Sequence, residues 1–454
     1  MTGDVNADFV NSTTQTNTGS AIYNSGTIGN ITGTIVGNQA VASQSYGGAI
    51  YNSGTIGDIR GTFIGNQAIS QTDKIGSEGG GAFIYNRKNI GNINGDIIGN
   101  VAQGSRSSNG GAIYNPSGGV IKDITGTIAY NKSMSYGDGV ARGGFLGNYS
   151  TNSVSSVGNI NGDIIGNIAQ GQSSASGGAI SLYRATLGNI TSKIISGNMA
   201  IGDKWGASGG AIAIDGGSDE TGMGDITSDI ISYNKAISSQ YSAVGGFLYN
   251  YKIFGNITGS LIGNEALGYT GANGGVTAGP IKKITAEYIS DNRAATEKGN
   301  AQGGAIQSVI EQIDAVTVND NQAISKQGNA YGGFLYNVWS NTIQSVTGNI
   351  LNNEVRGYNE AAGGGIYNAS YRGTASIKKL SGTMAGNKAI SETGNAYGGA
   401  IYNGKIGQIT GDFLNNYAET ASETNKAYGG AVYVEENMTF TSGADTHFMS
   451  GNYT

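Results

Sequence analysis

The stretch from Gly398 to Asn416 reads GGAIYNGKIGQITGDFLNN, and Gly47 to Asn66 reads GGAIYNSGTIGDIRGTFIGN. Each holds a Gly-Gly-Ala-Ile-Tyr-Asn block, an Ile-x-x-Ile block and a Phe-x-x-Asn block in the same order. Self-similarity at a fixed period decides architecture before any local signal, because a unit too small to bury a core must stack on its neighbours. Generalised to an apolar residue followed three positions later by Asn, the last block occurs fourteen times. Its asparagines are Asn38, Asn66, Asn100, Asn131, Asn167, Asn198, Asn234, Asn264, Asn292, Asn321, Asn353, Asn387, Asn416 and Asn452, spaced 28 to 36 residues apart. An Ala follows two positions later in most of them; Ser133, Val355 and Thr454 are the exceptions.

A glycine pair precedes each of these asparagines, cleanly at Gly47-Gly48, Gly110-Gly111, Gly177-Gly178, Gly303-Gly304 and Gly429-Gly430, and in degenerate form at Gly19-Ser20. Between the two lies Ile-x-x-Ile, from Ile28/Ile31 to Ile406/Ile409, with Val157, Leu187, Met223 and Phe254 as substitutes. Only the last unit, Gly429 to Asn452, breaks it. The variable segments between each Asn-x-Ala and the next glycine pair are short and polar, as in Gly202 to Ser208 and Ser391 to Tyr397. Insertions concentrate there and around the Ile-x-x-Ile corner, so both read as surface loops.

Short runs rich in Ile, Thr and Gly carry no 3.6-residue period, which excludes helical repeats. A unit of this size is too small for a four-stranded propeller blade, and the leucine-rich signature is absent. Collagen is excluded as well: there are 80 glycines without a strict triplet period, and only Pro116 and Pro280. Charged residues make up 12% against 38% hydrophobic, the reverse of the balance that disorder needs. Three short strands separated by Gly/Asn turns fit one rung of a single-stranded parallel β-helix. Residues 1–454 therefore read as one continuous all-β solenoid domain of about 14 rungs, roughly 31 residues each. Stacking at about 4.8 Å per rung makes a rod of roughly 65–70 Å. Inward positions become ladders of identical apolar side chains, and the asparagines become a hydrogen-bonded ladder of amides. The paired glycines mark a bend or a tight packing site that a side chain would block. The chain starts on a repeat tail, with Phe9 in the place of Phe413, and ends on another, so it reads as a piece of a longer protein.

The motif pair GGA[I/L] followed by F-x-x-N resembles the repeats of chlamydial polymorphic membrane proteins and, more broadly, the passenger domains of Gram-negative autotransporters. Gly48-Ala49-Ile50 with Phe63 to Asn66, and Gly399-Ala400-Ile401 with Phe413 to Asn416, match the strict pair; most other units carry Ile, Leu, Val or Met for the Phe. The resemblance implies a right-handed β-helix exported through the cell envelope, displayed at the bacterial outer-membrane surface or secreted, and commonly adhesive. Its partner would be a host-cell surface protein or a glycan.

The residues themselves support three functional classes: a non-enzymatic adhesin, a carbohydrate-active β-helix enzyme, and a structural tail-fibre or surface-layer element. A lyase or hydrolase needs converging carboxylates or carboxylates with basic partners. Asp96, Asp163 and Asp412 sit four positions before their Asn, but the adjacent units carry Thr62 and Thr127 there. Asp58, Asp123 and Asp225 share the Ile-x-x-Ile corner with Asn30, Asn92 and Asn159, which suggests a turn role. The only histidine, His447, falls in the irregular last unit. Catalytic, metal-binding and cofactor residues are therefore not expected, and a net charge of −6 offers no basic footprint for nucleic acid. No apolar run is long enough for a membrane helix.

The expected ligand contacts are the tyrosines that precede an Asn in the glycine block, Tyr23, Tyr51, Tyr85, Tyr114, Tyr249, Tyr336, Tyr367 and Tyr402, with Trp205 and Tyr397 in the loops. Facing outward, they would stack on sugar rings or a protein partner. The competing reading is cross-strand stacking that only stiffens the sheet. A monomer is expected, self-association being what the structural class would require.

Overall fold

The computed structural model describes residues 3–70, 77–150, 152–216, 221–252, 254–337, 341–369, 375–403, 405–434 and 449–454. Among these, every regular element is a β-strand. The strands stack in parallel as a β-solenoid of about 13 turns with about 31 residues per turn, the fourteen asparagine blocks delimiting the 13 intervals. The chain divides into two compact units. The first comprises Met1–Asp229, Asn234–Ser239 and Leu248–Lys252; the second comprises Ile230–Tyr233, Gln240–Phe247 and Ile253–Thr454.

In the first unit one turn runs through the strands Ile50–Asn52, Thr55–Ile56, Ile59–Ile64, Gln67–Ser70 and Glu78–Gly80. That is five short strands where three were expected, because Gly-Asx corners and left-handed residues interrupt each face. Ile59 pairs with Ile31 and Ile93, Phe63 with Ile35 and Ile97, and Ala68 with Ala40 and Ala102. All of these side chains are fully buried, and burying each Ile is worth roughly 1.5–3 kcal/mol. Phe63 also stacks on Phe83, with ring centroids 4.3 Å apart. Where Ser133 breaks the alanine row, its hydroxyl donates to the Ser108 carbonyl at 2.9 Å, so the buried polar atom is satisfied.

The glycine pair plays both expected parts. Gly47 turns the chain at φ +67°, and a β-carbon on Gly48 would stand 2.3 Å from the carbonyl oxygens of both Ala82 and Gln67. The first glycine makes the bend; the second lets the backbone of one face press against another.

In the second unit the apolar rows continue as Ile284, Ile313, Val346, Leu380 and Ile409. The small-residue row runs Ala294, Ala323, Val355, Ala389 and Ala418. Here two strands merge into one, as in Ile281–Ser290, Ile310–Asn319 and Thr342–Leu351. The corner Gly-Asx of the first unit is replaced by Lys282-Lys283, Glu311-Gln312 and Gln344-Ser345. Gly and Asx favour a turn at this corner but do not by themselves decide it, since Phe254–Ile262 runs unbroken through Gly255-Asn256. The spacing from Ile284 to Ile289 is also one residue longer than from Ile257 to Leu261, which produces a register shift between Thr258 and Leu261.

Candidate binding surface

Three rows of polar side chains tie successive turns together, and they account for most of the recurrent Asn and Asp. The first is the expected asparagine ladder. In the first unit Nδ2 of Asn38, Asn66, Asn100, Asn131, Asn167 and Asn198 each donates to Oδ1 of the next asparagine, all at 2.9 Å, ending on Asn234. In the second unit the same bonds run from Asn264 through Asn292, Asn321, Asn353, Asn387 and Asn416 to Asn452 at 2.9–3.1 Å. The residue just before the ladder Asn holds a left-handed conformation. It is usually Gly, but Asn352, Asn415, Asp291, Asp320, Tyr130 and Tyr233 also occupy it.

A second ladder was not foreseen. Asn24, Asn52, Asn86 and Asn115, the last residues of the Ile-Tyr-Asn blocks, donate in turn to Asn52, Asn86, Asn115 and Asn148 at 2.8–3.2 Å. It stops where Leu182 and Ile214 take the same register, and Asn148 Nδ2 has no partner among the described residues. In the second unit Asn337 donates to Asn368 at 2.7 Å. The signal was present in the invariant Asn after each Tyr, but the aromatic drew the functional reading.

The third row lies at the Gly-Asx corner. Asp4 accepts from the backbone N–H of Asn30, Asn30 from that of Asp58, Asp58 from Asn92, Asn92 from Asp123, Asp123 from Asn159, Asn159 from Asn189 and Asn189 from Asp225, at 2.7–3.3 Å. Asp and Asn interchange there because each needs only a side-chain oxygen. The Asn92 N–H, with help from Arg60, holds the Asp58 carboxyl below its ordinary value against the opposing effect of desolvation. Two further recurrent acids cap in the same way. Asp96 accepts from the Thr127 N–H at 2.8 Å, and Asp163 from those of Lys193 and Ile194 at 3.0 Å.

The tyrosines lie on the outer face, between buried neighbours on either side, as in the Ile50-Tyr51-Asn52 strand. In the first unit Tyr23 stacks on Tyr51 and Tyr51 on Tyr85, with centroids 5.2 and 5.0 Å apart; Tyr114 meets Tyr85 edge-on. The row is then interrupted by Gly147, Ser181 and Ala213 before Tyr249 resumes the register. In the second unit Tyr336, Tyr367 and Tyr402 stack at 5.1 and 4.7 Å, and Tyr397, from the neighbouring ladder, meets Tyr402 edge-on and stacks on Tyr428. Tyr23 is 60% exposed whereas Tyr114 and Tyr402 are nearly covered, so the rings spend much of their faces on one another. Trp205 stands apart at 70% exposure in its loop.

Two tyrosines outside the expected set carry the sharpest electrostatics. Tyr46 Oη donates to Glu78 at 2.9 Å, and burial, reinforced by the Glu78 charge, pushes its phenol far up. Tyr331 stands in the same relation to Glu360 in the second unit. Across the break in the tyrosine row, Ser176 Oγ donates to Asp215 at 2.6 Å; burial raises the Asp215 carboxyl, opposed by Ser176 and the Arg142 charge. These contacts pair side chains of neighbouring ladders, a relation invisible to a motif.

Among the described residues no group of three or more His, Cys, Asp or Glu side chains can hold a metal, and no helix is long and apolar enough to cross a membrane. His447 lies outside the described residues. Stacked identical rows, amide ladders and an outer aromatic face define a parallel β-solenoid repeat protein. No family profile, curated protein or solved structure matches the chain.

Proposed function

We propose that this chain is a non-enzymatic display scaffold of the autotransporter-passenger kind, placed on a bacterial outer surface or secreted, which binds a host-cell protein or glycan. The observation that carries this reading is the destination of the recurrent acids. Asp58, Asp96, Asp123 and Asp163 each accept a backbone N–H of the following turn. A carboxylate committed to a turn is poorly placed to act as general acid or base, which needs a titratable group aimed at substrate. The segments that vary from turn to turn, read as loops in the sequence, carry the strands Gly206–Ser208 and Ala396–Tyr397 with buried Ala207 and Ala396. The loops proper are the short bends beside them, and such bends on a rigid scaffold are where binding residues concentrate.

The test is attachment without turnover. The purified chain should bind host cells or a glycan-coated surface and release no sugar from polysaccharides. Replacing only the bends Asp203 to Trp205 and Glu392 to Gly394 with Gly/Ser, and keeping the flanking strands Gly206–Ser208 and Ala396–Tyr397, should weaken attachment and leave the β-spectrum unchanged. Polysaccharide cleavage abolished by Asp96→Asn or Asp163→Asn would promote the carbohydrate-active enzyme instead. Attachment that survives the loop swaps but fails after Tyr51→Ser, Tyr85→Ser and Tyr367→Ser would move the binding face to the tyrosine row.

A further inference from the structure

A cleft of about 300 Å³ opens on the first unit, with Glu78, Arg106, Asn109, Tyr114, Arg142 and Tyr149 in its walls. Two glycines make room for it. Tyr114 leaves the stack, turned 70° to the ring of Tyr85, and a β-carbon on Gly80 would stand 2.6 Å from the Tyr114 ring, so the ring leans over Gly80. At the next turn Gly147 takes the register of Tyr114, so no further ring of that row covers it. The Arg142 guanidinium lies over the Tyr149 ring, 4.4 Å from its centroid.

The charges of the cleft are unequally committed. Glu78 accepts from Tyr46 Oη at 2.9 Å, and Asp138 pairs with Lys204. Arg142 donates to Asn109 Oδ1 at 3.2 Å, which uses one of its several N–H donors. Arg106 is exposed, and its guanidinium makes no hydrogen bond or ion pair among the described residues. The acids are thus partnered while the arginines hold donors in reserve.

We propose that this cleft binds one residue of an acidic saccharide, a uronic- or sialic-acid-type sugar. Its carboxylate sits on Arg106 and Arg142, and its hydroxyls meet Glu78 and Asn109, while the Tyr149 ring, stacked on Tyr183 at 4.7 Å, backs the Arg142 guanidinium. The guanidinium fork matches a carboxylate in geometry as well as charge. Glu78 repels a bare inorganic anion but accepts hydrogen bonds from hydroxyl groups, so the cleft suits a ligand carrying both. The volume is at the small end of the range for ligand sites, enough for a single sugar ring. The proposal rests on the reading of this chain as a binding scaffold.

The test is calorimetric titration of the purified chain with trigalacturonate, sialyllactose and lactose. At least one acidic sugar should bind, the one that does identifying the source, and lactose should not. Arg106→Ala, at an exposed position, should weaken binding by about tenfold or more while circular dichroism stays unchanged. Replacing the bend Glu392 to Gly394, in the other unit, should leave the affinity as it was. Equal binding of lactose, an unchanged affinity in Arg106→Ala, or displacement of the sugar by an equal concentration of inorganic phosphate would each overturn the proposal. A chain that attaches to host cells but binds none of these sugars loses the cleft assignment and keeps the display function; a chain that attaches to nothing loses both.

Discussion

Asn66 and Asn100 are joined twice: both the side-chain Nδ2 and the backbone N–H of Asn66 donate to Oδ1 of Asn100, at 2.9 and 3.0 Å. Asn66 Nδ2 also reaches back to the Ile35 carbonyl at 2.9 Å, and Asn66 Oδ1 takes the same pair of bonds from Asn38. Every polar atom of a fully buried amide is therefore used, and each turn holds the backbone of the one before it.

Asn66→Ala should destabilise the protein by about 1–3 kcal/mol, because donors on Asn38 and the Ile35 carbonyl lose their buried partner. Asn66→Asp tests the mechanism more sharply. A buried carboxylate lacks the donor and resists ionisation, so its folded-state pKa is expected above the unfolded value. Its neutral form should make the variant more stable near pH 3 than at pH 7, relative to the wild type, in urea melts. Melts in which the penalty does not change with pH would argue against a ladder that depends on the donated proton.

Two glycines in the same half of the molecule should respond differently. A β-carbon on Gly111 would stand 2.0 Å from the Gly144 carbonyl oxygen and 2.4 Å from the Lys132 carbonyl, so Gly111→Ala must push two faces apart and should cost several kcal/mol or prevent folding. Gly65 has open space around it and only a left-handed φ of +63°. Gly65→Ala should cost about 1 kcal/mol, and Gly65→Asn less, since Asn352 and Asn415 hold the same conformation at φ +54° and +53°. Thermal melts of the three variants should rank Asn, Ala and then Gly111→Ala in order of falling stability.

The tyrosine stacks should make the fold sensitive to alkali. Burial pushes Tyr85 up to about 12, helped by the Tyr51 charge, and burial alone does the same to Tyr336. A phenol raised in the folded state stabilises the fold fully below the unfolded value near 10, and that contribution is lost as pH rises towards the folded value. The melting temperature should therefore fall between about pH 10 and pH 12. Tyr85→Phe should flatten that fall, as followed by tyrosinate absorbance at 295 nm and circular dichroism together. An absorbance rise complete by about pH 10.5 without unfolding would contradict the buried stack.

Asp58 should supply a small acid dependence of the opposite sign. Its carboxyl is lowered chiefly by the Asn92 N–H, so its contribution is present above the unfolded value and is lost as pH falls through the folded one. Asp58→Asn should abolish that part of the acid sensitivity and keep the corner intact, because Asn30 and Asn92 already perform the same capping in the row. The measurement is the difference in melting temperature between variant and wild type across about pH 2–5.

The period of the Asn-x-Ala blocks, the inward face of Ile59 and Phe63, the amide ladder through Asn66 and the turn role of Asp58 were all legible in the amino-acid sequence. Each follows from one physical rule: in stacked repeats a residue meets its own counterpart, so a recurrent side chain must be compatible with itself at strand spacing. Asn suits this because its amide is donor and acceptor at once, Ile because it interlocks with itself, and Gly48 because nothing larger fits.

Contacts between neighbouring ladders needed the tertiary structure. The loops between blocks differ in length, so linear spacing does not say that Tyr46 reaches Glu78, that Ser176 reaches Asp215, or that Arg142 lies over Tyr149. The count of strands per turn was decided there too: the chain breaks at the Asp58 corner and runs straight on at Lys282-Lys283, but it also runs straight on through Gly255-Asn256. The repeat by itself determined what each residue meets directly above and below, because that partner is its own copy. What it meets sideways depends on where each interruption of a row falls, and Gly80 and Gly147 open a cleft only because the folded chain brings them to either side of one tyrosine.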